Sequence, residues 1–305
     1  MCLETDAPDG KPLAMARCVA LAEGTWVVGL NLSGDHPARH SKPPTRFHFV
    51  LDNSCSMGSN TLHAKDCFAE LVEVANGPCS LTVFESAAST LGESFQTAAS
   101  MRSARLPSQG GTNITAGIQK ALETIRRCEE AEAQEAAAAR THHVLVLLSD
   151  GEHNRGPRPE QEVPKLGQEL RAQAPALRLS VVVVGVTRSS NTSMGMLLKQ
   201  SLETVALPSL DPIYFAATPQ LMGEVLKQMH AGLASLRGSL VRVGAPSGAL
   251  FTRALGEAGE PSLDLLFDGG EQALLCSGSA PPADLRVDGA TVPCGPPPEG
   301  PEGFD

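Results

Sequence analysis

The sequence predicts an α/β protein: a doubly wound, mostly parallel sheet with helices on both faces, plus a small antiparallel β-sandwich from the N- and C-terminal flanks. Three observations predict it. The runs "RFHFVL" (46–51), "HHVLVLLSDGE" (142–152) and "LRLSVVVVGV" (177–186) are apolar at consecutive positions, as in strands buried on both faces. Segments with helical spacing lie between them, the order of a parallel sheet built from crossovers. Outside this stretch the apolar runs are short, alternating and split by Gly and Pro, the habit of antiparallel strands.

The elements follow in order. Residues 14–34 contain "ARCVALAEGTWVVGLNLSG", two strand-like runs around a turn. After the strand at 46–51, residues 60–75 set Leu62, Cys67, Phe68, Leu71, Val74 and Ala75 near helical spacing, and "NGP" stops the helix. "CSLTVFES" is a strand, and 114–139 is a long helix with an Ala/Glu-rich, solvated end. The strand at 142–152 precedes a helix in "PEQEVPKLGQELRAQA", despite Pro164. After the strand at 177–186 come a helix in "NTSMGMLLKQSLETVA", a short strand "PIYFAA", and a closing helix capped by Thr218 with Pro219 at its first position. "SLVRVGAPSG", "PSLDLLFDGGEQALLC" and "ADLRVDGATV" supply the second flank. The predicted organisation is residues 1–44 as the first strands of the β-sandwich, 45–236 as the α/β domain, 237–295 as the rest of the sandwich, and 296–305 as a disordered tail.

Composition narrows the function. The formal net charge of -10 argues against a nucleic-acid binder, which needs a basic footprint. No apolar run approaches the roughly 18 to 20 residues of a membrane span, and the N-terminus does not read as a signal peptide. None of the eight cysteines forms a C-x-x-C pair, so a zinc site is not expected, and reduced thiols in an intracellular protein are. The sequons at Asn31, Asn113 and Asn191 are triplets common by chance.

In an open parallel sheet, functional loops lie at the carboxyl ends of strands. Asp52 and Asp150 both end apolar strands, and "LPSQGGTNITAGI" brings Gly110, Gly111 and Thr112 to the same edge. With Ser54 and Ser56, these loops offer five hard oxygen donors: Asp52, Ser54, Ser56, Thr112 and Asp150. Oxygen-only sets suit Mg²⁺, Mn²⁺ or Ca²⁺ and disfavour zinc or copper. Two carboxylates and three hydroxyls leave a position open for an outside ligand, and a partner's carboxylate suits it. Taken singly, Asp52 and Asp150 read as helix N-caps or Asx turns; the full set favours a metal site. His142 and His143 read as satisfied edge residues, Glu152 and His153 as the rim, and the Glu129–Glu135 run as a solvated face.

Asp52-x-Ser54-x-Ser56, Thr112 after two glycines, and Asp150-Gly151 after an apolar strand resemble the metal-ion-dependent adhesion site of von Willebrand factor A domains, over about residues 45–236. The resemblance implies a Rossmann-like fold. It implies that Ser54, Ser56 and Thr112 coordinate the ion directly, and that Asp52 and Asp150 act mostly through water. It also implies a protein-binding module rather than an enzyme. Cys55 stands where glycine is common in that family.

Three functions compete. The first is a cation-dependent protein-binding module whose partner offers an Asp or Glu. The second is a metal-dependent hydrolase or phosphoryl-transfer enzyme. Against it, Ser54 replaces the second Asp of a haloacid-dehalogenase-like pair, and both G-x-S-x-G and the P-loop motif are absent. The third is a structural scaffold with a vestigial metal site. The first is the expectation carried forward.

Overall fold

The computed structural model describes residues 14–22, 24–32, 44–75, 77–133, 141–175, 177–186, 192–205, 213–216, 219–235, 240–244, 250–252, 262–266, 272–280, 282–287 and 290–295. The predicted cap at Thr218, the Ala/Glu-rich end at 134–139 and the tail at 296–305 lie outside them. The chain divides into two compact units, one of residues 1–42 with 236–305 and one of 43–235.

The first unit opens with β1 (Ala14–Ala22) and β2 (Thr25–Leu32), joined at Gly24, whose φ of 71° suits the tight turn. The second unit then runs β3 (Thr45–Asp52), α1 (Asn60–Val74), β4 (Cys79–Phe84), β5 (Ala88–Phe95), α2 (Ala98–Ser103), α3 (Ile114–Ala133), β6 (His142–Ser149), α4 (Pro159–Gln173), β7 (Arg178–Gly185), α5 (Thr192–Leu202), β8 (Ile213–Phe215) and α6 (Pro219–Ser235). The first unit resumes with β9 (Leu240–Gly244), β10 (Leu250–Thr252), β11 (Ser262–Leu266), β12 (Gln272–Ser277), β13 (Asp284–Val287) and β14 (Ala290–Gly295).

The second unit's sheet has the order β5-β4-β3-β6-β7-β8, parallel except for the antiparallel edge strand β5. Every residue of β4, β6 and β7 is buried, which is why these strands are apolar at consecutive positions. Neighbouring residues of β3 face opposite layers. Phe49 stacks on Phe68 of α1, with ring centroids 4.4 Å apart. Val50 joins a core that includes Phe84, Ile118, Ile125, Leu147, Val181 and Leu198, under α3 and α5. Each such side chain contributes roughly 1.5–3 kcal/mol by leaving water.

Local chemistry sets the helix starts. Thr97 Oγ1 accepts the Ser100 N–H at 3.2 Å to cap α2, and Asn113 Oδ1 accepts the Ala116 N–H at 3.1 Å at the head of α3. α4 begins with Pro159, carries Glu160 and Glu162 in its first turn, and continues through Pro164.

The first unit forms one hydrogen-bonded run of strands, β10-β12-β2-β1-β14-β13-β9-β11. Its pairings are antiparallel except β1 with β14, which is parallel in the register Ala16↔Cys294. The edge strands β10 and β11 lie in contact, so the sheet curls around its own core of Val28, Leu30, Val243, Phe251, Leu285 and Val292.

The sequence reading of two groups needs revision. His142 and His143 are satisfied, but they are buried at the amino end of a central strand rather than at an edge. His142 Nε2 bonds Ser180 Oγ at 2.9 Å. His143 bridges Glu129 Oε2 (3.0 Å) and His48 Nε2 (2.9 Å), and His48 Nδ1 reaches Ser80 Oγ at 2.8 Å. Glu129 therefore ties α3 to the sheet, while Glu130 is exposed and pairs with Arg126 at 3.9 Å. Among the described residues no helix is long and apolar enough to cross a membrane.

Candidate metal centre

Strand order reverses between β3 and β6, and the carboxyl ends of these neighbours carry Asp52 and Asp150. Ligand crevices form at such a switch point. Asp52 is fully buried. Its Oδ1 accepts the Ser54 N–H at 2.9 Å and its Oδ2 accepts the Ser149 hydroxyl at 2.6 Å. Burial pushes its carboxyl up to about 6 against the pull of these two bonds, and the neighbouring Asp150 charge adds to the rise.

The loop after Asp52 is laced to the loop before α3. The Cys55 N–H donates to Gly110 O at 3.0 Å, Asn53 Nδ2 to Pro107 O at 3.0 Å, and Gln109 Nε2 to Gly58 O at 2.8 Å. Ser54 and Gly110 form a parallel bridge. Gly58 has a φ of 51°, where a Cβ is strained. Ser54 Oγ and Ser56 Oγ lie 2.9 Å apart, the first buried and the second exposed. Cys55, between them, is exposed, so its thiol does not crowd the loop from inside.

The loop after β6 clamps Thr112. The Thr112 N–H donates to Asn154 Oδ1 at 2.9 Å, and its carbonyl accepts the N–H groups of Asn154 (3.0 Å) and Arg155 (3.1 Å). Asp150 Oδ1 accepts the Glu152 N–H at 3.2 Å, and the Gly151 N–H donates to Ser149 Oγ at 3.0 Å. Asp52 and Asp150 thus both accept a backbone N–H two residues on, as an Asx turn does, and both keep further lone pairs. The structure brings the three loops to one edge, with Asp52, Ser54 and Ser56 joined directly.

One atom tests whether a cation fits. Thr112 is 1% exposed, and its Oγ1 is buried with no hydrogen-bond partner among the described residues. A buried hydroxyl without a partner is costly, and an ion or ordered water is the usual resolution. Among the described residues no cluster of three or more His, Cys, Asp or Glu is placed to hold a metal, so an ion here depends on hydroxyls. Hard cations accept such donors. Both ring nitrogens of His153 are likewise buried without a partner among the described residues.

The sequence reading missed Ser149, Asn154 and Arg155 as parts of this edge. Ser149 carried a signal: it is the one hydroxyl in the apolar run of β6, beside Asp150. Asn154 carried none, because its partner Thr112 lies far along the chain.

No protein-family model matches the sequence, and no curated protein does. Solved structures do match. A von Willebrand factor type A protein from Catenulispora acidiphila is similar over 94% of this chain and 73% of that one, with a TM-score of 0.58 and 13% identity. The ArnB paralog VWA2 from Sulfolobus acidocaldarius is similar over 90% of this chain and 68% of that one, with a TM-score of 0.51 and 15% identity. At such identities the likeness concerns the fold alone. The chain carries the von Willebrand factor A fold.

Proposed function

We propose that this chain is a divalent-cation-dependent protein-binding module rather than an enzyme. Ser54, Ser56 and Thr112 would hold Mg²⁺, Mn²⁺ or Ca²⁺ directly, with Asp52 and Asp150 behind them. The buried, partnerless Thr112 Oγ1 beside the laced Asp52 loop carries this reading. A bound ion would supply an electrophilic centre with a position left for a partner's Asp or Glu. The chain's own part is to preset the donors: Ser149 and the Ser54 N–H orient Asp52, and Asn154 fixes the backbone of Thr112. Preset donors lose little freedom on binding.

The test compares wild type with Asp52→Ala and Thr112→Ala. Mg²⁺ is expected to raise the wild-type melting temperature and support capture of an acidic protein partner. Chelator or either substitution removes both effects. Melting and capture that ignore all of these treatments would refute the reading.

A further inference from the structure

The two glycines before Thr112 seat side chains of opposite charge. A Cβ on Gly110 would collide with Glu85 Oε2 and meet Ser86 Oγ at 2.9 Å. A Cβ on Gly111 would meet Arg155 Cγ at 2.5 Å and Arg155 Nε at 3.2 Å. The stem of Arg155 therefore lies on the bare backbone of Gly111, next in the chain to Thr112. Its own N–H is bonded to the Thr112 carbonyl at 3.1 Å, so the base of the stem is anchored.

Arg155 is exposed, and among the described residues its guanidinium makes no hydrogen bond or ion pair. Glu85 differs: its carboxylate accepts the adjacent Ser86 N–H. The mouth thus offers an engaged anion over Gly110 and a free, planar cation over Gly111. Glu85 is half-buried, whereas Glu152, two residues after Asp150, is exposed. A free cation beside a cation site opposes metal binding, so its favourable work must come with an anionic ligand. Guanidinium pairs carboxylates through two parallel N–H bonds, and a seated stem loses less freedom in doing so.

We propose that Arg155 is a specificity-determining residue: it takes a second carboxylate beside the one that completes the cation's shell. The site then prefers a partner segment with two neighbouring acidic side chains over a segment with one. The inference rests on the cation-site reading above.

The experiment uses the full chain with Mn²⁺, whose binding is read by water-proton relaxation, and end-capped peptides titrated by calorimetry. One peptide carries two adjacent aspartates; the other has asparagine in place of one. Wild type is expected to prefer the diacidic peptide roughly tenfold. Arg155→Ala removes the preference while Mn²⁺ binds as well or more tightly, and Arg155→Lys keeps part of it. Arg126→Ala on α3, away from the loops, keeps all of it. A preference that survives Arg155→Ala overturns the proposal. So does a wild type that binds Mn²⁺ yet takes both peptides equally, or neither. A wild type that fails to bind Mn²⁺ fails the cation-site reading itself, a result visible before any peptide is added.

Discussion

The Ser149 hydroxyl donates a 2.6 Å hydrogen bond to Asp52 Oδ2, joining the last residues of two neighbouring parallel strands. The same hydroxyl accepts the Gly151 N–H, so one atom couples the first and last loops of the site. Ser149→Ala leaves a buried carboxylate short of a donor. The expected loss is about 1–3 kcal/mol of stability in chelator. Mn²⁺ affinity is expected to fall about 10- to 100-fold, the usual effect of removing a group that orients a ligand. Urea unfolding and Mn²⁺ titration check the two effects separately.

Thr112→Val keeps the shape of the side chain and deletes the partnerless hydroxyl. Without metal, the variant is expected to be as stable as wild type or more stable, by up to about 1–3 kcal/mol. With Mg²⁺ or Mn²⁺, it is expected to show none of the wild-type gain in melting temperature. Destabilisation in chelator would instead show that the hydroxyl holds the loop together.

Stability of the metal-free protein is expected to fall with acid. Burial holds His48 well below the ordinary histidine range and His142 down at about 3, with His143 and a nearby arginine adding to each. Both are neutral in the fold but take protons once unfolded, near the ordinary histidine value of 6.5. Their contribution is complete above that value and is lost as pH falls below it. Asp52, raised to about 6 from 3.8, acts in the opposite sense between those values. The two histidines outweigh the single carboxyl, so these groups leave stability falling as pH drops from about 6.5 towards 5. Urea midpoints at pH 8, 6.5 and 5 in chelator measure it; a midpoint that rises on acidification contradicts it.

Gly167 on α4 marks the closest approach of two helices. A Cβ there would run into the Ser201 carbonyl on α5, which also accepts Arg171 Nη1 at 2.9 Å. Gly167→Ala gains up to about 1 kcal/mol of helix propensity and meets overpacking of about 1–3 kcal/mol. Overpacking against backbone is expected to win, giving a lower urea midpoint. A neutral result would mean that α4 and α5 separate easily.

Much of the fold was legible because strands buried on both faces leave a plain mark. β6 and β7 carry unbroken apolar runs, Val144–Leu148 and Val181–Val184, and α1 and α3 show their buried stripes. β5 was not read as a strand: "ASTLGESF" is half exposed and held as an edge by pairing with β4. α2 spans only six residues, too few for a period, and depends on the Thr97 cap. At the site, Asp52 and Asp150 were legible because each follows an apolar run. Arg155 was not, since its setting depends on the bare backbone of Gly111, a contact between loops far apart in the chain.

The parallel pairing of β1 with β14 has a consequence for the order of folding. Every strand of the second unit lies within residues 43–235, so that sheet is complete long before the ribosome releases the chain. β1 must wait for almost the last described residues before one of its edges is covered. Contacts so distant in sequence close slowly, and an uncovered strand edge invites other chains meanwhile. Chains stopped after residue 235 but before residue 290 should therefore hold a finished α/β unit and a sticky β1, and should aggregate through the flank rather than the sheet that bears the site.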